Sequence, residues 1–462
     1  MMVVVLVVDS LRGDAPGYTG GPAATPLLDQ VAGEGTWFER TVVSGSWTVP
    51  SLLSMVTGSY PHRLGICRWR HPFPERRPTL MSAFASAGFE VRTLSFNPRW
   101  SMATCPGRGL PGDSQDPEQV LDALRGPRGR DRLVIIHHWW THLPYLARKL
   151  PRDGWLRTCD AILDSLARRP DPLAIKFRGL YHRALAHFSA ELLGRYLDAA
   201  ASGGEDVLLL LTGDHGENWG ECLAPGRRVE HIYDLHGRWL ADGTACVPLL
   251  LWGRGHGGAI PVASGLGGVA RGVDIGPTVA DLAGIPWPGQ LPAPGGPHGV
   301  DRGITPDGRG LTIDGVSLAP AVRAGEPAPS SEAMVVSSHN THQPHTYPAE
   351  ARQMWRAFGL RTDRAWYVFD GVDGTREVRP HREGGEELET ARADADRIWD
   401  QLEGEWHRSV GPAGVLPTSL FPRFREGAAE GEFDAEPATV DAPPADDEDP
   451  LVERMRMLGY LD

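Results

Sequence analysis

Strands and helices that alternate along the chain predict an α/β fold, a mostly parallel sheet with helices on both faces, followed by a small C-terminal α+β subdomain. Three observations predict it. The run "VVVLVV" near the N-terminus is apolar at every position, so it reads as a central strand covered on both sides. The stretches "LMSAFASAGFEVRTLSFN", "LDALRG…DRLVIIHHWW" and "LLGRYLDAAASGGEDVLLLLTGDHGE" each read as a helix followed by a strand. From about Met334 the pattern changes to short strands, "MVVSSH", "AFGLRTDRAWYVFDG" and "TREVRP", before the long helix "ELETARADADRIWDQLEGEWHRS".

Taken in order, the first strand leads to a helix at "TPLLDQVAGEG", with Thr25 as its cap, Pro26 in the first turn and Gly33 or Gly35 as its stop. "FERTVV" reads as a strand. A second helix is predicted over "SWTVPSLLSMVTG": Thr48 lies at the N-cap or one residue before it, Pro50 suits the first turn, and Gly58 ends the run. Capping explains Thr48 locally. A hydroxyl at a helix N-terminus is also well placed to meet an anion. The Gly/Pro-rich residues 286–310 read as a surface loop or insertion, and no internal repeat is evident. The expected organisation is residues 1–333 as the catalytic α/β domain and 334–410 as the antiparallel subdomain. Residues 411–450 would form an acidic Pro/Ala-rich linker and 451–462 a terminal helix.

A chain of 462 residues, 41% of them hydrophobic, can bury a sizeable core. Its formal charge of -13 looks like a hint about partners, but residues 426–450 hold ten acidic residues and no basic one. That segment reads as a solvated linker and leaves a body near neutrality. No stripe of Lys and Arg with interleaved aromatics points to nucleic acid. "RGPRGRDR" reads as a Gly-punctuated loop. The five cysteines, Cys67, Cys105, Cys159, Cys222 and Cys246, lack metal spacing, and an odd count favours a reducing compartment. "MMVVVLVVDS" has no basic leader or cleavage site, and no run approaches a membrane span. A cytoplasmic protein is expected.

Chemistry-bearing residues gather where strands end. Asp9 follows the first strand, His137 ends another, and Asp214 and His215 follow "LLLLTG". In open α/β sheets ligands collect at those carboxyl ends. His236 precedes a further strand in "YDLHGRWLADGTACVPLLLW". Each has a plain explanation alone, since Asp9 can cap a turn and "GDHGE" can be one. Together, carboxylates, an imidazole and the Thr48 hydroxyl supply hard ligands for a divalent metal. A metal beside a hydroxyl lowers its pKa and makes it a nucleophile.

In this order "VDSLRGD", the Thr48 segment, "HLPY" (His142 to Tyr145), "TGDHGE", "HG…VPLLLW" and the terminal "MLGYLD" resemble the sulfatase-like branch of the alkaline phosphatase superfamily. The resemblance covers most of residues 2–410 and implies an alkaline phosphatase-like fold. It implies that Asp9, Asp214, His215 and the nucleophile Thr48 bind the metal, with His142 and His236 near the substrate's anionic group. Two departures shape the expected chemistry. Sulfatases of this fold carry Cys or Ser in a C/S-x-P-x-R signature that becomes formylglycine. Here Thr48 and Leu52 stand at those positions, so no formylglycine can form. Threonine at this position resembles phosphodiesterase, phosphonate-hydrolase and phosphoglycolipid-transferase relatives. The second departure is "HHWWTHLPY", which lacks the Asp that two-metal relatives carry, so one metal (Zn, Mn, Mg or Ca) is expected.

The expected activity is therefore metal-dependent hydrolysis or transfer of a phosphodiester or phosphonate ester through a covalent phosphothreonine. The partner is a small-molecule, lipid or sugar ester. Asn97, His137 and His339 are candidates for substrate contact. Asn97 before Pro98 fits a turn equally well, His138 fits packing beside the tryptophans, and His339, His342 and His345 fit a polar loop. Two alternatives stay open: a sulfuric ester hydrolase without formylglycine, and a metal- or ligand-binding protein that has lost catalysis.

Overall fold

The computed structural model describes residues 1–64, 73, 77–95, 109–126, 129–143, 145, 170–219, 235–237, 239–255, 260–287, 314–338, 355–371, 374–381 and 385–410. The four cysteines Cys67, Cys105, Cys159 and Cys222, the candidates Asn97 and His339, and the expected linker and terminal helix lie outside these residues. Cys246 is free.

The main sheet has eight strands: β1 (Met2–Val8), β2 (Thr36–Phe38), β4 (Glu90–Ser95), β5 (Leu110–Asp113), β6 (Arg132–His138), β7 (Val207–Gly213), β9 (Leu249–Arg254) and β10 (Ala263–Leu266). Their order is β10-β2-β9-β7-β1-β6-β4-β5. β1 lies between β7 and β6 and is parallel to both, whereas β9 runs antiparallel to β7 and β2. The uniform hydrophobicity of β1 follows from this place. Val3, Val5 and Val7 join a core with Val49, Leu52 and Leu53 of the helix Thr48–Thr57. Met2, Val4, Leu6 and Val8 join a separate core with Leu28, Val31, Leu121 and Tyr181 on the other face. Both faces are therefore dry.

"FERTVV" divides between two sheets. Phe38 closes β2, and Thr41 opens β3 (Thr41–Val42), which pairs with β8 (Cys246–Val247) and β11 (Ala270–Arg271) in a three-stranded sheet. Thr25 stands at the N-cap of the helix Pro26–Gly33 but makes no side-chain cap bond. Its hydroxyl instead accepts from Gly17 N and donates to Asp29. The helix before β7 begins earlier than expected. Pro170–His187 continues through a π-type stretch, Phe188–Leu193, into Gly194–Ala201.

The antiparallel C-terminal sheet is β12 (Ala333–Ser338), β13 (Trp355–Arg361), β14 (Ala365–Asp370) and β15 (Thr375–Pro380), in that order. One face, with Val335, Ala357, Trp366 and Val368, shares the core of the Thr48 helix. The other, with Phe358, Leu360 and Phe369, packs on Ala391, Ile398 and Leu402 of the helix Gly385–Val410. β12 also bonds the segment that leads into the Thr48 helix. Ser46 N donates to Val336 O at 3.2 Å, and Val336 N donates to Ser44 O at 3.0 Å. Among the described residues no helix is long and apolar enough to cross a membrane.

Candidate active site

The register of β7, β1 and β6 builds the site. Val8 is level with Gly213 and with His138, so the next residues, Asp9 and Asp214, emerge side by side at the carboxyl ends. Ser10 has φ 60°, a left-handed turn that costs a non-glycine residue about 1–3 kcal/mol. That turn aims Ser10 N at Asp214 Oδ1 (3.0 Å), while Ser10 Oγ donates to Asp9 Oδ1 (3.1 Å). His215 N gives Asp214 Oδ1 a second bond at 2.8 Å. The main chain thus holds one oxygen of Asp214 and leaves the other facing inward.

His215 Nδ1–H donates to the Gly216 carbonyl at 2.8 Å, which fixes the tautomer and leaves the Nε2 lone pair free to ligate. Gly216 has to be glycine, because a Cβ there would lie 2.1 Å from Gly243 O. Nε2 of His215 stands 3.5 Å from Asp9 Oδ1, 3.5 Å from Asp214 Oδ2 and 3.3 Å from Thr48 Oγ1.

Thr48 does not cap its helix. Trp47 is the N-cap, with no side-chain cap bond, and Thr48 is the first helical residue. Its hydroxyl is therefore turned to His215. The helix is pinned in place by Ser51, one turn on, which donates to the Asp214 carbonyl, and ends at Gly58 in the left-handed conformation (φ 65°). All ten residues from Thr48 to Thr57 are buried.

Asp9, Asp214 and His215 offer ligand atoms within 4.8 Å of one another, all buried. Two carboxylate oxygens, an imidazole nitrogen and a nearby hydroxyl form a donor set suited to a divalent cation. The electrostatics agree with that fit. Burial, and then repulsion from Asp214, push Asp9 up to about 7. For Asp214 burial acts upward too, but His215 and His137 outweigh it and hold the carboxyl low. Two water-free carboxylates this close need positive charge between them.

His236, Glu217 and His142 form the other half. His236 Nδ1 meets Glu217 Oε2 at 3.2 Å, and its ring lies 4.6 Å from that of His215 and 5.3 Å from that of His142. Burial, and then the neighbouring His142, pull the His236 imidazole down to about 3, so it is neutral near pH 7. Burial pushes Glu217 up to about 7. His137 is not at an open surface: it is fully buried, with Nε2 3.3 Å from Asp214 Oδ2 and 3.5 Å from Asp9 Oδ2. His138 packs in the opposite core, stacked on Trp140.

Asp9, Thr48, Asp214, His215, His236 and His142 are thus brought together. Ser10, Ser51 and Glu217 join them without having been singled out in the sequence. Glu217 lies two residues after His215 in "GDHGE", and Ser51 lies three after Thr48, one helical turn. Those spacings are the signals that could have found them.

The comparisons with known proteins bear on this geometry. The family model "Sulfatase" matches residues 2–121. The low-salt glycan biosynthesis sulfotransferase Agl7 of Haloferax volcanii is 28% identical over 285 residues, covering 61% of this chain and 60% of that protein. The chain thus spans less than two thirds of that curated relative. A 2-O GAG sulfatase has a TM-score of 0.64 at 16% identity, with 91% of this chain and 95% of that one covered. The phosphonate monoester hydrolase of Silicibacter pomeroyi has a TM-score of 0.60 at 17% identity, with 88% and 95% covered. Identities this low speak to the fold. Residues 2–121 thus match the sulfatase family model, and the chain as a whole shares the fold of sulfatases and phosphonate monoester hydrolases.

Proposed function

We propose that this protein is a metal-dependent hydrolase or transferase of phosphate esters, diesters or phosphonates, with Thr48 as its nucleophile. The observation that supports it most is the Thr48 hydroxyl, released from capping and 3.3 Å from His215 Nε2 in the acidic cluster. Asp9, Asp214 and His215 would hold one divalent cation, with Thr48 Oγ1 beside it. When bound, the cation supplies charge neutralisation for the transferring group and a lowered pKa for the hydroxyl.

The residues then do the rest. Thr48 Oγ1 gives its proton to solvent water and forms a bond to phosphorus in line with the leaving ester oxygen, whose bond to phosphorus breaks. The N-terminus of the Thr48 helix offers N–H groups to the developing negative charge. His142, whose ring neighbours that of His236, gives the leaving oxygen its proton, while His236, held neutral, donates a hydrogen bond to a non-bridging oxygen. Water or an acceptor alcohol then attacks phosphorus and frees Thr48.

Sulfuryl transfer is the second reading. The relative named as a glycan biosynthesis sulfotransferase favours it. A panel of matched aryl phosphate, phosphodiester, phosphonate and sulfate substrates separates the two, run with and without Zn²⁺, Mn²⁺, Mg²⁺ or Ca²⁺. The expected result is cation-dependent release from a phosphorus ester, lost in Thr48→Ala by on the order of 10³-fold or more. Near-normal turnover by Thr48→Ala would sink the nucleophile assignment. Release from the sulfate alone would sink the preference for phosphorus.

A further inference from the structure

Near the end of β6, His137 faces the two carboxylates from a fully buried position. Its register partner is Val7, and its side chain is fully buried. Nε2 lies 3.3 Å from Asp214 Oδ2 and 3.5 Å from Asp9 Oδ2. It is outside the set of ligand atoms that fall within 4.8 Å of one another, which holds Asp9, Asp214 and His215. The imidazole is therefore a neighbour of the two carboxylates' Oδ2 atoms outside that set. Each carboxylate is already fixed at Oδ1, by Ser10 Oγ on Asp9 and by the N–H groups of Ser10 and His215 on Asp214. What remains to be set is the direction of the two Oδ2 atoms, and His137 meets both.

We propose that His137 is a positioning residue that directs Nε2–H at the Oδ2 atoms of Asp9 and Asp214 and fixes the spacing at which the pair takes a cation. An imidazole near the end of β6 stands within 3.5 Å of both Oδ2 atoms, on side chains carried by the neighbouring strand β1 and by β7 beyond it. Partners of this kind restrain a ligand's orientation, and their removal weakens metal binding by about 10- to 100-fold. The role rests on the metal reading given above.

The test uses the full chain stripped of metal and titrated calorimetrically with Mn²⁺ or Zn²⁺ alone. His137→Asn, whose amide stops short of the carboxylates, should bind about 10- to 100-fold more weakly than wild type. His137→Gln, whose amide reaches further, should recover most of that loss. Thermal unfolding of the metal-free forms shows whether each variant is folded, and His137→Met replaces His137→Asn if the latter is not. Equal affinity in wild type and both variants overturns the role of His137 alone. A Co²⁺ absorption spectrum whose coordination changes in His137→Gln overturns it too, by making His137 a ligand. Wild-type protein that binds no cation overturns the metal reading and this role together.

Discussion

The two halves of the site are held by different means. Asp9, Asp214, His215 and Thr48 sit at strand ends and a helix start, and backbone groups fix them: Ser10 N and His215 N on Asp214, Gly216 O on His215. His236, Glu217 and His142 sit on turns between elements, where the His236–Glu217 pair and ring contacts join bonds such as His142 Nδ1 to the Leu143 carbonyl and Gly237 N to Ser46 O. The first half is as rigid as the sheet beneath it. The second is carried by turns rather than by strand ends. A centre that must present several ligands at once to a cation belongs on the first kind of support. Groups that follow a leaving oxygen as it moves belong on the second.

Substitutions can break that contrast one half at a time. Asp214→Asn removes a charge from the rigid half, and both cation affinity and turnover should collapse, by on the order of 10³-fold or more in turnover. Calorimetry and an ester assay check this. His236→Gln acts on the other half alone: turnover should fall by about 10²- to 10⁴-fold while cation affinity stays within a few-fold. Equal losses in both measurements would show that the two halves are one unit. Glu217→Gln offers His236 Nδ1 an amide N–H in place of the carboxyl O–H, which leaves Nε2–H free to donate, and should cost turnover less than His236→Gln does, measured in the same assay.

The same histidine predicts a pH effect on stability. Its pKa is depressed in the folded state from an ordinary 6.5 to about 3, so folding favours the neutral ring. Its contribution is full above about 6.5 and is lost as pH falls toward about 3. The slope from one such group is at most about 1.4 kcal/mol per pH unit. Denaturant titrations across that window should give a flatter curve for His236→Gln than for wild type. The smallest effect belongs to a site remote from the chemistry. Gly58→Ala forces a side chain into the left-handed region and should cost about 1–2 kcal/mol of stability, with turnover unchanged.

Much of this was readable in the chain because burial leaves marks. β1 and β7 announce themselves by having no polar position, the signature of two covered faces. Asp9 and Asp214 stand out because a charge directly after such a run has to emerge at a strand end. The serines leave no mark of that kind. The role of Ser10 depends on a backbone angle, and that of Ser51 on which carbonyl lies across from it. The helix from Pro170 was hidden for a different reason. Pro170 and Pro172 suit its first turn, but Gly179 argues against a continuous helix, and the burial of Leu180, Tyr181, Leu185 and Phe188 against the sheet overrides it. Thr48 misled in detail: the hydroxyl that looked like a cap belongs to the residue after the cap.

The bonds between Val336 and the backbone of Ser44 and Ser46 also order events in time. During synthesis the turn that carries Thr48 emerges early, and the strand that completes it emerges when most of the chain has been made. Until then those backbone groups have only water to bond, and the hydroxyl two residues on is not yet held in place. The segment that leads into Thr48 therefore cannot take its final backbone bonds before a strand far along the chain is made.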